Sequence, residues 1–202
     1  MKILSTQNLL IALIGSLLPM SAWAAGTSFF MKGFYHPTMV PAHLLSLFAL
    51  ALLMGQQGWR NSRIVLPLFL FVLIASLAMT RYQTASWNAE LILLPLAAVT
   101  GILVIFKWDL SVIVPSIIAI IAAIVIGMDS SVPRIPGLQI AKIYSHLAGS
   151  AVFGISLLLV IGLIAFGLRN VLDGVILRIL GAWSTAGAVL VVTLLLVGDL
   201  NP

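Results

Sequence analysis

Long apolar runs almost free of charge constrain this chain more than any other feature. Of its 202 residues 62% are hydrophobic and only 7% are charged, and the mean hydropathy is +1.22. A soluble domain carries about 25% charged residues, so the composition excludes both an ordinary soluble protein and a disordered one. Backbone groups in hydrocarbon must pair within their own segment. The runs therefore predict α-helices that contact the lipid bilayer.

Six of these runs have about the length of a membrane span. They cover residues 40–55, 64–80, 89–106, 110–128, 144–168 and about 178–198. The segments between them are short and polar, such as 55–63, which we expect to form a turn. No repeat or linker divides the chain. The sequence predicts an all-α, polytopic membrane bundle of about six transmembrane helices in one domain, residues 25–202.

The first 24 residues have the features of a signal peptide. Lys2 supplies a basic start, residues 9–18 form a short apolar stretch, and Ala22-Trp23-Ala24 has the small-residue pattern of a cleavage site. The alternative is an uncleaved first span. Either reading places the segment after residue 24 outside the cytoplasm. The cytoplasmic turns then carry five basic residues and the outer segments four, a weak positive-inside bias.

Absent residue types and motifs exclude several classes of function. The chain has no cysteine, which removes disulfides and thiolate metal sites. It has no phosphate-binding loop, no H-E-x-x-H motif and no serine nucleophile motif, so we expect neither an enzyme nor a prosthetic group. Its ten Lys and Arg residues form no basic run, so nucleic acid is not an expected partner.

Five metal-competent side chains fall at the ends of spans that the signal peptide would place outside. They are His36, His43, Glu90, Asp129 and His146. Ionisable groups inside spans are costly and often mark a site. Each also has a simpler interpretation. Asp129 could be a solvated loop charge, His146 an interfacial residue, and Glu90 a carboxylate at a helix N-terminus. Asp129 and His146 are the weaker candidates.

The strongest pattern is the segment FYHPTMVPAHLL, in which His36 and His43 are seven residues apart. A straight helix would separate them by roughly 10 Å, too far for one ion. Pro41 favours a helix that begins near itself, so we expect His36 on an irregular lead-in that folds back towards His43. With Glu90 they would form a ligand set of two imidazoles and a carboxylate, which suits nickel, cobalt or zinc.

Several motifs between residues 36 and 106 also form a family pattern. They are His36-Pro37, His43, Gly55-Gln56-Gln57-Gly58, Pro67, Phe69 and Asn88-Ala89-Glu90. Together they resemble the HupE/UreJ family of hydrogenase and urease accessory membrane proteins. The resemblance implies a nickel or cobalt permease of the bacterial inner membrane, multi-pass, with the mature N-terminus outside. It also implies metalloenzyme maturation machinery as a partner.

The resemblance implies that His36, His43 and Glu90 are metal ligands. It also implies that Phe69 has a role in the ion pathway or in the structure. The sequence departs from the family pattern at Val40, where the family has glycine, and at Ala42, where it has aspartate. The family's histidine-rich motif near the fourth span is also missing, because residues 128–133 contain no histidine. Half of the family's ligand set is therefore absent from this chain.

Two functions remain open from the sequence. The first is a permease for a divalent transition-metal ion, nickel or cobalt, that binds at the outer His/Glu site. The second is a non-transporting membrane subunit or assembly factor of a larger complex. The second is favoured by the scarcity of polar residues in the spans beyond their outer ends.

Overall fold

The structure is a computed structural model that describes residues 29–80, 88–131 and 140–200. Within these ranges it is all-helical and has no β-strand. The helices are α1 (Phe29–Met39), α2 (Pro41–Gln57), α3 (Trp59–Met79), α4 (Glu90–Phe106), α5 (Ile113–Asp129), α6 (Ile140–Leu168) and α7 (Val175–Leu200), with a 3-10 turn at Val171–Gly174 before α7. The predicted all-α class is confirmed. The predicted signal peptide, residues 1–24, lies outside the described residues.

The six predicted apolar runs correspond to α2 through α7. Of these, α3, α6 and the segment 171–197 are long and apolar enough to cross a membrane, and α1 with α2 adds a fourth if the bent pair is one span. Helices α4 and α5 have 17 residues each, which gives a length of about 25 Å. The chain thus has the helices of a multi-pass membrane protein, with three or four clear spans.

The segment before Pro41 differs from the prediction. It is helical, not irregular, and α1 meets α2 at an angle of 78°. The break is confined to Val40, whose backbone is extended (φ −107°, ψ 103°). A residue before proline avoids the helical region, so Val40 ends one helix while Pro41 begins the next. The predicted start of α2 at Pro41 is confirmed.

The polar segment 55–63 is also more helical than predicted. Only Gly58 separates α2 from α3, and its φ of 83° is a conformation that glycine adopts readily. The remaining residues of the segment belong to the two helices. Gln56, Gln57, Asn61 and Ser62 hydrogen-bond to nearby backbone carbonyls, and the turn predicted over 55–63 is confined to Gly58.

Helix α2 lies at the centre of the bundle. It packs against α3, α4, α5, α6 and α7, and 11 of its 17 residues are buried. Phe69 on α3 is fully buried in the same core. Because α2 is surrounded on most sides, a polar side chain on it must find its partners inside the protein.

Close helix contacts use small residues. A Cβ on Gly101 of α4 would overlap Thr185 of α7, and Thr185 Oγ1 donates to the Ala98 carbonyl at 3.3 Å. A Cβ on Gly181 of α7 would likewise overlap Val104 of α4. Ala182 and Ala186 on the same helix are exposed and take no part in this contact.

Helices α1 and α6 approach each other even more closely. A Cβ on Gly33 would overlap the carbonyl of His146, and one on Gly149 would overlap the carbonyl of Phe30. Ser150 Oγ donates to the Gly33 carbonyl at 2.9 Å. This contact fixes α1 against α6 and thereby sets the position of His36.

Candidate functional site

One end of the bundle collects the five predicted side chains, and we call it the histidine end. It comprises His36 on α1, His43 on α2, Glu90 at the start of α4, Asp129 at the end of α5 and His146 on α6. The five residues come from five helices. Tertiary packing, not closeness in sequence, brings them to the same end.

His43 and Asp129 form the closest pair. His43 Nε2 lies 3.0 Å from Asp129 Oδ2, and the histidine side chain is fully buried while the carboxylate is 27% exposed. Neither ring nitrogen of His43 has a hydrogen-bond partner among the described residues. A buried polar atom without a partner costs about 1–3 kcal/mol. The pair therefore resembles two ligand atoms more than a hydrogen bond.

His36 extends this pair towards α6. Its ring centre lies 6.0 Å from that of His43 and 5.8 Å from that of His146. The predicted approach of His36 to His43 is confirmed, although a bend between two helices produces it. His36 Nδ1 is buried without a partner. The three imidazoles thus form a row that ends at Asp129.

His146 occupies the far end of this row. Its Nε2 is buried without a partner, and its ring hydrogen-bonds to the backbone of Phe29. Lys32 is close enough to act on His146 electrostatically. The positive charge of Lys32 disfavours a cation at His146, so Asp129 marks the more favourable end of the row for a cation.

Glu90 lies across a cleft from Asp129. The cleft has a volume of about 340 Å³ and is lined by both carboxylates together with Val40, Asn88, Ala89, Leu91 and Leu195. Glu90 makes no described contact with the histidines. The carboxylate beside His43 is therefore that of Asp129. The sequence pattern had made Asp129 a weaker candidate ligand than Glu90. The signal for Asp129 was only its position at the end of an apolar run.

These side chains do not form a closed metal site. Among the described residues, no three His, Asp or Glu side chains converge tightly enough to hold a metal ion. Two atoms bound to one ion at about 2.1 Å lie about 3.0–3.4 Å apart, a condition that His43 Nε2 and Asp129 Oδ2 meet. Two imidazoles on one ion place their ring centres roughly 5 Å apart. The ring centres of neighbouring histidines in the row are about 1 Å further apart than this.

Phe69 belongs to the apolar core of the bundle. It is completely buried on α3, on the face of that helix that also carries the buried Val65 and Leu73. This position supports a structural role in the core for Phe69.

The opposite end of the bundle is built differently, and we call it the basic end. It comprises the polar residues Gln57, Asn61, Lys107 and Arg178 together with the turns they contact. Lys107 Nζ donates to the Asp173 carbonyl and Arg178 Nε to the Ile105 carbonyl, both at 2.9 Å. Lys107 itself ends α4 in a left-handed conformation.

Two amide side chains complete the basic end. Gln57 Nε2 donates to the Trp108 carbonyl at 2.7 Å, and Gln57 Oε1 accepts from the Leu110 N–H at 3.1 Å. Asn61 Nδ2 donates to the Leu110 carbonyl at 3.2 Å. These contacts tie α2 and α3 to the turn between α4 and α5, so the polar groups here hold helices together.

Comparison of the chain with family models, with curated proteins and with solved structures finds no match.

Proposed function

We propose that the protein is a membrane permease for a divalent transition-metal ion, with nickel or cobalt as the expected cargo. The observation that carries this proposal is the buried His43, whose Nε2 faces the Asp129 carboxylate without a hydrogen bond. Imidazole and carboxylate are ligands that borderline divalent ions accept. An incoming cation would bind to both atoms at once, about 2.1 Å from each.

The openness of the site supports transport over permanent binding. A permeation site must bind its ion strongly enough to admit it and weakly enough to release it. His43 and Asp129 supply two ligands at a suitable distance, and His36 needs only a small shift to supply a third. Glu90 shares the cleft with Asp129, and its charge would attract cations to the entrance.

The proposal includes a topology. The histidine end faces the outside and the basic end the cytoplasm, after removal of a signal peptide, with α2 through α7 as six crossings of the bacterial inner membrane. The polar residues of the basic end support this orientation, because cytoplasmic ends are enriched in Lys and Arg. Metalloenzyme maturation machinery would receive the imported ion.

The test is metal uptake by proteoliposomes that contain the full chain, with nickel, cobalt and zinc compared side by side. Asp129→Asn should lower uptake strongly, whereas Asp109→Asn at the turn between α4 and α5 should leave it unchanged. The two variants remove the same charge from opposite ends. Equal uptake in both variants and the wild type would reject the site.

The second candidate, a non-transporting subunit or assembly factor, has one supporting observation. Most buried hydroxyls among the described residues donate to backbone carbonyls, as Ser76 does to Ala123 and Thr80 to Gly127, and so offer little to an ion. If the intact protein moves none of the three ions, this candidate takes the place of the permease, and co-purification of a partner becomes the deciding experiment.

A further inference from the structure

A second cleft adjoins the basic end, between the start of α3 and the turn that joins α4 to α5. Its volume is about 560 Å³, larger than that of the cleft at the histidine end. A space of this size accommodates a small organic group. Its charged lining residues are Arg60 and Arg63 of α3 and Asp109 of the turn. The proposed function leaves this cleft without a role.

The two arginines of the cleft differ from the other basic side chains nearby. Lys107 and Arg178 donate to backbone carbonyls, and Arg169 lies over an aromatic ring at 4.3 Å. Arg60 and Arg63 are exposed and make no hydrogen bond or ion pair with any described residue. Residues three apart on a helix share a face, so both guanidinium groups border the same cleft.

The position of these arginines in α3 is electrostatically unfavourable. Both lie in the first two turns of the helix, at the end where the helix dipole is positive. The first turn of α3 has no acidic residue, and Gly58 provides no side-chain cap. The N-terminus of α5 borders the same cleft at Val112 and also lacks an acidic residue in its first turn. An anion in the cleft would offset this accumulated positive charge.

The cleft opens at the level of the lipid headgroups. Trp59 and Trp108, next to Arg60 and Asp109 in the chain, are 65% and 56% exposed. Tryptophan side chains favour the membrane interface, and α3, which begins at Trp59, is long and apolar enough to cross a membrane. The anion at this level is the phosphate of a phospholipid. The planar guanidinium group of arginine fits two phosphate oxygens, and basic pockets between membrane helices bind lipid headgroups.

Asp109 narrows the choice of headgroup. Its carboxylate is exposed in the same cleft and forms no ion pair with either arginine. A headgroup that carries only negative charge is repelled by this carboxylate. A headgroup with a phosphate and a primary ammonium matches both signs of charge, because its ammonium group can donate hydrogen bonds to the carboxylate.

We propose that this cleft binds the headgroup of an aminophospholipid such as phosphatidylethanolamine, with its phosphate at Arg60 and Arg63 and its ammonium group at Asp109. The proposal requires the start of α3 to lie at the membrane surface, and it does not depend on the permease function. The bound lipid would join α3 to the turn between α4 and α5. It would thereby reinforce the hydrogen bonds that Gln57 and Asn61 make to this turn.

The test is native mass spectrometry of the delipidated full chain without added metal, titrated separately with phosphatidylethanolamine, phosphatidylglycerol and phosphatidylcholine. The wild type should bind phosphatidylethanolamine about threefold more tightly than the other two lipids. Phosphatidylglycerol has no ammonium group, and the quaternary ammonium of phosphatidylcholine cannot donate a hydrogen bond.

The double variant Arg60→Gln/Arg63→Gln should bind phosphatidylethanolamine about tenfold more weakly. Both side chains lack partners within the described part of the protein, so the variant should keep the wild-type elution profile in size-exclusion chromatography. Arg178→Gln is the matched control. It removes the same charge at the basic end but does not line the cleft, and should keep the wild-type lipid affinity.

Asp109→Asn should abolish the preference for phosphatidylethanolamine over phosphatidylglycerol. Equal affinity of the wild type and the double arginine variant for phosphatidylethanolamine would overturn the proposal, as would a wild-type preference for phosphatidylglycerol. Displacement of the lipid by millimolar inorganic phosphate would identify a site for free phosphate and would also overturn it. Because these titrations contain no transition metal, failure of the permease proposal leaves their outcome unchanged.

Discussion

The polar side chains at the two ends of the bundle differ in whether they have hydrogen-bond partners. At the basic end, long side chains such as Lys107 and Arg178 donate to backbone carbonyls of neighbouring segments. At the histidine end, three imidazoles are held near one another with buried nitrogen atoms that have no partner. The first arrangement stabilises contacts between helices, and the second costs stability.

This difference separates structural polar groups from functional ones. Each unpaired buried nitrogen costs about 1–3 kcal/mol, and the histidine end carries several. A bound cation would satisfy the lone-pair nitrogen of an imidazole ring, whereas further packing could not. Polarity alone does not identify the site, because both ends are polar. Three neighbouring imidazoles with unpaired buried nitrogens do.

The largest expected effect comes from His43→Ala. Loss of an outer partner of a metal ligand costs about 10- to 100-fold in affinity, so loss of the ligand itself should weaken Co²⁺ binding at least about a hundredfold. The visible absorption spectrum of Co²⁺ bound to the purified protein measures this. A wild-type elution profile in size-exclusion chromatography controls for folding. Unchanged Co²⁺ binding by His43→Ala would contradict the functional difference between the histidine end and the basic end.

Asp129→Asn should have the next largest effect. It keeps the size of the side chain but removes the charge beside His43 Nε2, and a charged partner is worth about 1.5–3 kcal/mol, or roughly 10- to 100-fold in affinity. The same Co²⁺ titration of Asp109→Asn is the matched control and should give the wild-type affinity. Equal affinities for the two variants would exclude Asp129 as a ligand.

Gly149→Ala should affect stability first. The added Cβ would overlap the Phe30 carbonyl, so α1 must move away from α6, at a cost of about 1–3 kcal/mol. Gly167→Ala in the same helix meets nothing within 4 Å and should be neutral or slightly stabilising. Thermal unfolding in detergent compares the two. Since α1 carries His36, Gly149→Ala should also weaken Co²⁺ binding. Identical melting temperatures for both variants would contradict the close contact of α1 and α6.

The smallest effect is expected at the basic end. Gln57→Ala removes two hydrogen bonds to the turn between α4 and α5, which should destabilise the protein by about 1 kcal/mol because the site is exposed. Metal uptake per folded molecule should not change. A specific loss of uptake with normal stability would show that the basic end takes part in binding or release.

Sequence patterns predicted the helices well, since the interruptions between apolar runs are local features. Pro41 begins α2 and Lys107 ends α4, as expected. The predictions failed where tertiary contacts decide. Residues 29–39 form a helix, and Gly33 allows that helix to pack on α6. The polar residues after Gly55 are also helical except Gly58, and Gln57 and Asn61 among them bond to the turn between α4 and α5.

The sequence predicted which residues belong to the candidate site but not which of them contact each other. The sequence placed His36, His43 and Glu90 together, and it ranked Asp129 lower because a charge at the end of an apolar run is often solvated. The pairing of His43 with Asp129 joins residues 86 positions apart.

By itself, the sequence determined that this chain forms apolar helices, where most of them begin and end, and which residue types could bind a metal ion. Those properties follow from local composition and from proline and glycine geometry. Only the tertiary structure decided which carboxylate faces His43, how sharply α1 turns back from α2, and which buried nitrogens lack partners. These depend on which helices become neighbours, and that choice is made by packing between segments far apart in the chain.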